Sequence, residues 1–242
     1  MSDSFQPLLD ELQSSDAARR SKAALQLGER REASAVDALV NILCTDEDVN
    51  VQEDVTWSLV RIGAPSIDLL IAALSHEDAR ARHNAAHALG KIGDARALDA
   101  LIRATQDANQ SVRYKAVYAL GQIGEAAAIP ALVARLDDPV SDVQWMAREV
   151  IEGFGERAVL PLIDALQAES ARMREFAASL LGDLSDPRAV GPLVTALNTD
   201  DTEVRLAAVQ ALGQLGENAA LEPLTADDDP RIRAIARAML KR

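Results

Sequence analysis

The chain has 242 residues, 48% of them hydrophobic, and carries 25 Lys and Arg against 38 Asp and Glu, a formal net charge of −13. That apolar content allows a continuous core, while the negative balance argues against a general nucleic-acid role, which needs basic residues to displace phosphate counterions. A lone cysteine, Cys44, leaves no disulfide framework; no apolar run reaches the length of a membrane span and no signal-peptide pattern stands at the first residues, so a soluble cytoplasmic protein is expected.

Taken in order, the chain alternates two kinds of helix. The stretch from Ser4 to Gln13, "SFQPLLDELQ", reads as a first helix A, with Pro7 in its first turn and Phe5 covering an exposed end. A first helix B follows in "ARRSKAALQLGER". The pattern then repeats: A helices "AVDALVNIL", "SIDLLIAAL", "ALDALIRAT", "IPALVARL", "LPLIDAL", "GPLVTAL" and a short "AALEPLT" precede B helices beginning near Val51, Ala79, Val112, Val143, Met173, Val204 and Ile232. The clearest copy is "ARARHNAAHALGKIGD" from Ala79 to Asp94. At 100° per residue, Ala81, Ala85, Ala88, Leu89 and Ile92 form one apolar stripe, His83 and His87 lie opposite, and Gly93 ends the helix. Gly90 to Gly121 and Gly182 to Gly213 give a period of about 31 residues, inside the range of a solenoid. Asp16, Asp48, Asp78, Asn109, Ser170, Asp201 and Asp229 stand where helix B N-caps belong. Val140 occupies that place in the fifth repeat, where Ser141 is expected to substitute. Cys44 reads as a small core residue on a helix A.

The pattern V-R-x-x-A-x-x-A-L-G-x-I-G with a proline-opened partner helix resembles the short HEAT-like repeats of phycobilin lyases. The resemblance covers nearly the whole chain. It implies an all-α, right-handed α–α superhelix of about eight helix pairs, a single repeat domain over residues 1–242 with capping repeats near 1–33 and 217–242. It also places the B helices along the concave side. It is poor in function, since this architecture hosts many roles.

Along the B helices, Arg82, Arg113, Arg174, Arg205 and Arg233 form a column at the edge of the buried stripe, read as a ladder of ion pairs and carbonyl contacts. The chain has two Trp and two Tyr, and all of them fall in the outward columns of His83 and His87. Tyr114 and Trp145 share the first column; Trp57 and Tyr118 share the second. Glu53, Glu149 and Glu175 join them. Each aromatic can cover about 150–250 Å², so together they approach the ~800 Å² of one side of a standard interface. Carboxylates beside ring faces favour cations. These residues, Trp57, His83, His87, Tyr114, Tyr118, Trp145, Glu53, Glu149 and Glu175, are therefore expected to bind a protein or peptide segment rich in Lys or Arg, with no nucleic acid or membrane partner. The alternative is packing between neighbouring B helices, the role expected of Met146 and Phe176.

Three enzymatic patterns compete with a binding role. "HNAAH" sets His83 and His87 at metal-holding spacing, but Asn84 stands where a zinc protease has its glutamate. The HEAT-like iron enzyme deoxyhypusine hydroxylase resembles the chain in fold, yet the single His-Glu pair here, His76-Glu77, lies in a turn. The resemblance also admits a phycobilin lyase-like protein holding an open-chain tetrapyrrole. No Ser-His-Asp set, phosphate loop or dinucleotide fingerprint is present, and the residues call for no cofactor.

Overall fold

The computed structural model of the chain describes residues 5–241; Ser4, where the first helix was expected to begin, and the extreme ends of the expected array lie outside them. Among the described residues there are sixteen α-helices and no strand. The fold is an all-α repeat superhelix in which each short helix A, mostly entered through a 3-10 turn, is followed by a longer helix B. The chain forms two compact units, Met1–Glu125 and Ala126–Arg242.

In the first unit the A helices are α1 (Gln6–Glu11), α3 (Val36–Thr45), α5 (Ile67–Ala73) and α7 (Leu98–Ala104). The B helices are α2 (Ala17–Glu29), α4 (Val49–Ile62), α6 (Ala79–Ile92) and α8 (Gln110–Ile123). In the second unit the A helices are α9 (Ile129–Val133), α11 (Val159–Ala165), α13 (Val190–Ala196) and α15 (Asn218–Leu221). Their B partners are α10 (Ser141–Phe154), α12 (Ala171–Leu184), α14 (Thr202–Gln214) and α16 (Pro230–Met239). The expected helix "IPALVARL" divides, with α9 followed by a 3-10 turn at Ala134–Asp137.

Helix starts follow side-chain chemistry. Asp16, Asp48, Asp78, Asn109, Ser170, Asp201 and Asp229 each accept a backbone N–H from the first turn of their helix B, satisfying donors that have no intrahelical partner. The expectation for Ser141 is corrected: it is the first residue of α10, and the N-cap Val140 has no side-chain cap bond. Val140 N–H donates to Asp138 Oδ1 at 3.0 Å, as the N-cap N–H groups of Asp48, Asn109 and Asp229 do to the acid two residues before them. Gly93 closes α6 in the left-handed conformation, as expected.

The core is the apolar stripe of the B helices against the A helices. Ala81, Ala85, Leu89, Val112, Ala116 and Leu120 are fully buried in the first unit, and Val143, Ala147, Ala177, Leu181, Ala208 and Leu212 in the second. Cys44 is buried on α3, and burial pushes its thiol pKa up.

A glycine column sets how closely B helices approach. A Cβ at Gly28 would lie 2.6 Å from Ser58 Cα on α4, one at Gly90 would lie 2.9 Å from Ala119 Cα on α8, and one at Gly182 would lie 2.7 Å from Ala211 Cα on α14. These helices are nearly in backbone contact. At the same register from the N-cap, α4 carries Val60 and α10 carries Glu152. There the next B helices in their units, α6 and α12, pack over a shorter stretch. The two exceptions match in other ways: Val51, Gln52 and Gly63 recur as Val143, Gln144 and Gly155. Long side chains cross the looser seams: Lys91 of α6 reaches Trp57 of α4, and Arg148 of α10 reaches Ser179 and Asp183 of α12.

The arginine column is structural, as expected. Arg82 donates from Nε and Nη2 to Asp107 of the next repeat at 2.7 and 2.8 Å and from Nη1 to the His76 and Glu77 carbonyls. Arg113, Arg174 and Arg233 donate to carbonyls of the preceding turn, and Arg205 pairs with Asp227. Arg20 on α2 belongs to the same ladder through Asp46. In α4 and α10, Gln52 and Gln144 replace the arginine and donate to the Asp46 and Asp138 carbonyls.

Candidate functional site

In the first unit α4, α6 and α8 bring Glu53, Trp57, His87 and Tyr118 to the B-helix face, together with Lys91 and Lys115. Glu53 Oε1 lies 3.5 Å from Lys91 Nζ, and Glu53 Oε2 lies 3.7 Å from His87 Nε2. Lys91 Nζ stands 4.0 Å from the centroid of the Trp57 ring, and Lys115 Nζ stands 5.4 Å from that of Tyr118. Both separations are within the range of a cation–π attraction. The aromatic faces expected to await a cationic partner are thus engaged by the chain's own ammonium groups. Lys91 was detectable in the sequence, one turn beyond His87 on the same face. Lys115 was not: it lies on the flank of α8, and only helix packing brings it near α6.

The histidines are half-buried rather than fully outward-facing. His83 Nδ1 is 3.1 Å from the Ser111 carbonyl oxygen at the start of α8, so this nitrogen is assigned the proton and donates. Burial lowers the His83 pKa, although the carbonyl contact opposes it. At His87 burial, then Lys115 and Lys91, outweigh Glu53 and lower the pKa to about 4. Its Nδ1 is buried without a hydrogen-bond partner among the described residues. Among the described residues no group of three His, Cys, Asp or Glu side chains is placed to hold a metal ion. At neutral pH both imidazoles are uncharged donors or acceptors.

This arrangement has a pH signature. Native His87 stays neutral down to about pH 4, whereas an ordinary histidine protonates near 6.5. Between those values the unfolded chain binds the extra proton, so stability falls as pH drops from 6.5 towards 4, by up to about 3 kcal/mol. The side chain is only 21% exposed, which keeps solvent screening low. Urea midpoints measured across this window should flatten in His87→Gln; an unchanged slope would refute the assignment.

In the second unit Trp145 and Glu149 stand one turn apart on α10. Trp145 is 59% exposed, against 46% for Trp57, whereas Tyr114 and Tyr118 are half-buried. The accessible aromatic area is therefore smaller than the composition suggested. Arg148 is tied down, donating to Glu152 at 2.9 Å and to Ser179 Oγ at 3.3 Å and pairing with Asp183. Arg172 donates to Gln144 Oε1 at 3.0 Å. Glu149 is exposed and makes no ion pair among the described residues. Glu175 is half-buried on α12, where burial, followed by Glu203 and Asp201, raises its pKa. Met146 is buried and Phe176 half-buried, the latter beneath the Arg172 guanidinium, 5.6 Å away.

Paired helices and a capped and stapled B-helix series define an α-solenoid. The chain belongs to the HEAT-repeat family: the family model for HEAT repeats matches residues 5–74, 67–152 and 159–241. In fold it is similar to importin beta, with 14% identity and a TM-score of 0.61 over 96% of this chain and 39% of that one. It is also similar to YibA of E. coli, with 22% identity and a TM-score of 0.50 over 98% and 92% of the two chains. The complex of CpcE and CpcF of phycocyanin lyase from Nostoc sp. PCC7120 gives 25% identity and a TM-score of 0.47, over 98% and 93%. No curated protein matches the chain in sequence.

Proposed function

We propose that this HEAT-repeat scaffold is a non-enzymatic, cytoplasmic binding protein that holds a cationic segment of a partner protein on its second unit. The observation that carries the proposal is Trp145, 59% exposed beside a carboxylate, Glu149, that makes no ion pair among the described residues. A large ring left in water one turn from a free carboxylate suits a Lys or Arg side chain. The alkyl stem would cover the indole and the charge would meet the carboxylate. Glu175 adds a second acid on α12. The cytoplasmic placement rests on composition, a single cysteine that is buried in the core.

A Trp57→Phe variant leaves Trp145 as the sole tryptophan reporter. Titration with a Lys/Arg-rich peptide should change its emission saturably, and Glu149→Gln should weaken binding several-fold. In Trp57→Phe, the further change Trp145→Ala, read by calorimetry, should cost at least about 2 kcal/mol, as hot-spot aromatics do. Preference for acidic peptides at Trp145 would overturn the proposal.

A further inference from the structure

The first unit carries the opposite chemistry. The chain has a net charge of −13, yet the seam beside Trp57 and Tyr118 gathers two ammonium groups around one carboxylate. Lys91 already shares Glu53 with His87. Lys115 makes no hydrogen bond or ion pair among the described residues; its ammonium faces the Tyr118 ring and lies within electrostatic reach of Glu53, Lys91 and His87. It is half-buried, and Lys91 is close enough for their charges to repel. An ammonium group withdrawn from water without a directly bonded counter-ion is costly, and an incoming oxyanion offsets that cost through charge-assisted hydrogen bonds.

We propose that Lys91 and Lys115, flanked by the Trp57 and Tyr118 rings, form a site for a carboxylate group presented by an acidic peptide segment. Glu53 acts there as an internal stand-in. It sits where a ligand carboxylate would meet Lys91 and the His87 Nε2, and it is exposed enough to swing away. His83 and His87 are neutral, so the charge of the seam comes from Lys91, Lys115 and Glu53 and is net positive. Burial, with Lys91 repulsion behind it, outweighs the attraction of Glu53 and lowers the Lys115 pKa, so the one carboxylate does not balance both ammonium groups. The site needs no contribution from the second unit, so it stands or falls independently of the Trp145 reading.

The test uses a Trp145→Phe variant, in which emission reports Trp57 alone, titrated with hexaglutamate, hexalysine and inorganic phosphate. Hexaglutamate should give a saturable change that fades with added salt, and hexalysine none. Lys115→Gln, whose folding is checked by circular dichroism, should weaken hexaglutamate binding about ten-fold, the loss of one charge-assisted contact of ~1.4 kcal/mol. Glu53→Gln should tighten it, because the competing carboxylate is gone. No saturable response, or equal affinity in Lys115→Gln, would overturn the site. A response to phosphate without one to hexaglutamate would overturn the carboxylate assignment.

Discussion

Gly28→Ala lowers the unfolding midpoint, whereas the same substitution at Gly153 raises it. Alanine is the better helix former in isolation by about 0.5–1 kcal/mol. At Gly153, exposed and with nothing within 4 Å of an added Cβ, that gain stands alone. At Gly28 the new Cβ would lie 2.6 Å from Ser58 Cα and 2.8 Å from Ser58 Cβ. The obstacle is the backbone of a packed helix, so α2 and α4 must separate along their seam. Overpacking of this kind costs about 1–3 kcal/mol, and the exposure of Ala24 and Leu27, now fully buried, adds to it. Urea denaturation followed by circular dichroism measures both variants. A repeat array can unfold in steps, so the midpoint of the first transition is the quantity to compare. Equal signs at the two glycines would show that the α2–α4 approach is looser than described.

Asp46→Ala destabilises the first unit by about 3 kcal/mol. Asp46 is buried and accepts Arg20 Nε at 2.6 Å, Arg20 Nη2 at 2.9 Å and the Asp48 N–H at 2.9 Å. Burial would raise its pKa, but the hydrogen bonds from Arg20 and Asp48 hold it below the ordinary carboxylate value. Removing the acid leaves the Arg20 guanidinium, with 16% of its side chain exposed, facing an empty place. Breaking a buried pair from one side costs about 3–5 kcal/mol, and the remaining water access of Arg20 puts the effect at the lower end. In a double-mutant cycle, Arg20→Met combined with Asp46→Ala should lose less than the sum of the single changes. The linkage sign follows from the lowered pKa. The stabilisation is complete above the ordinary value of 3.8 and is lost as pH falls through the native value. Additive losses in the cycle would show that the pair contributes nothing beyond its separate residues.

The helices, their caps and the ladder were legible in the sequence because each is local. Asp78 caps α6 through Arg80 N–H, two residues away, and Arg113 reaches carbonyls five and six residues behind it. Chemistry that acts over one turn is written in one turn of sequence. The repeat period then supplied the fold, since a helix pair with one apolar stripe can bury it only against copies of itself. The Ser141 expectation failed at the same scale. Ser141 is already the first residue of the helix, and the cap position before it is held by Val140, whose side chain has no oxygen to offer.

The candidate site was half legible. The sequence set Trp57, His87, Tyr118 and Glu53 in outward columns, and Trp145 with Glu149 one turn apart, because helical geometry fixes which residues share a face. Tertiary structure decided how those faces are occupied. The substitution of Val60 and Glu152 into the glycine column accompanies looser seams at α4 and α10, and the width of a seam determines which side chains enter it. Lys91 reaches the Trp57 ring only because α6 packs beside α4, and Lys115 approaches His87 only because α8 packs against α6. The sequence by itself therefore determined the helices, their ends and their stacking. The partners of each charge, and hence the polarity of each unit's exposed face, depended on distances between helices that no single turn encodes.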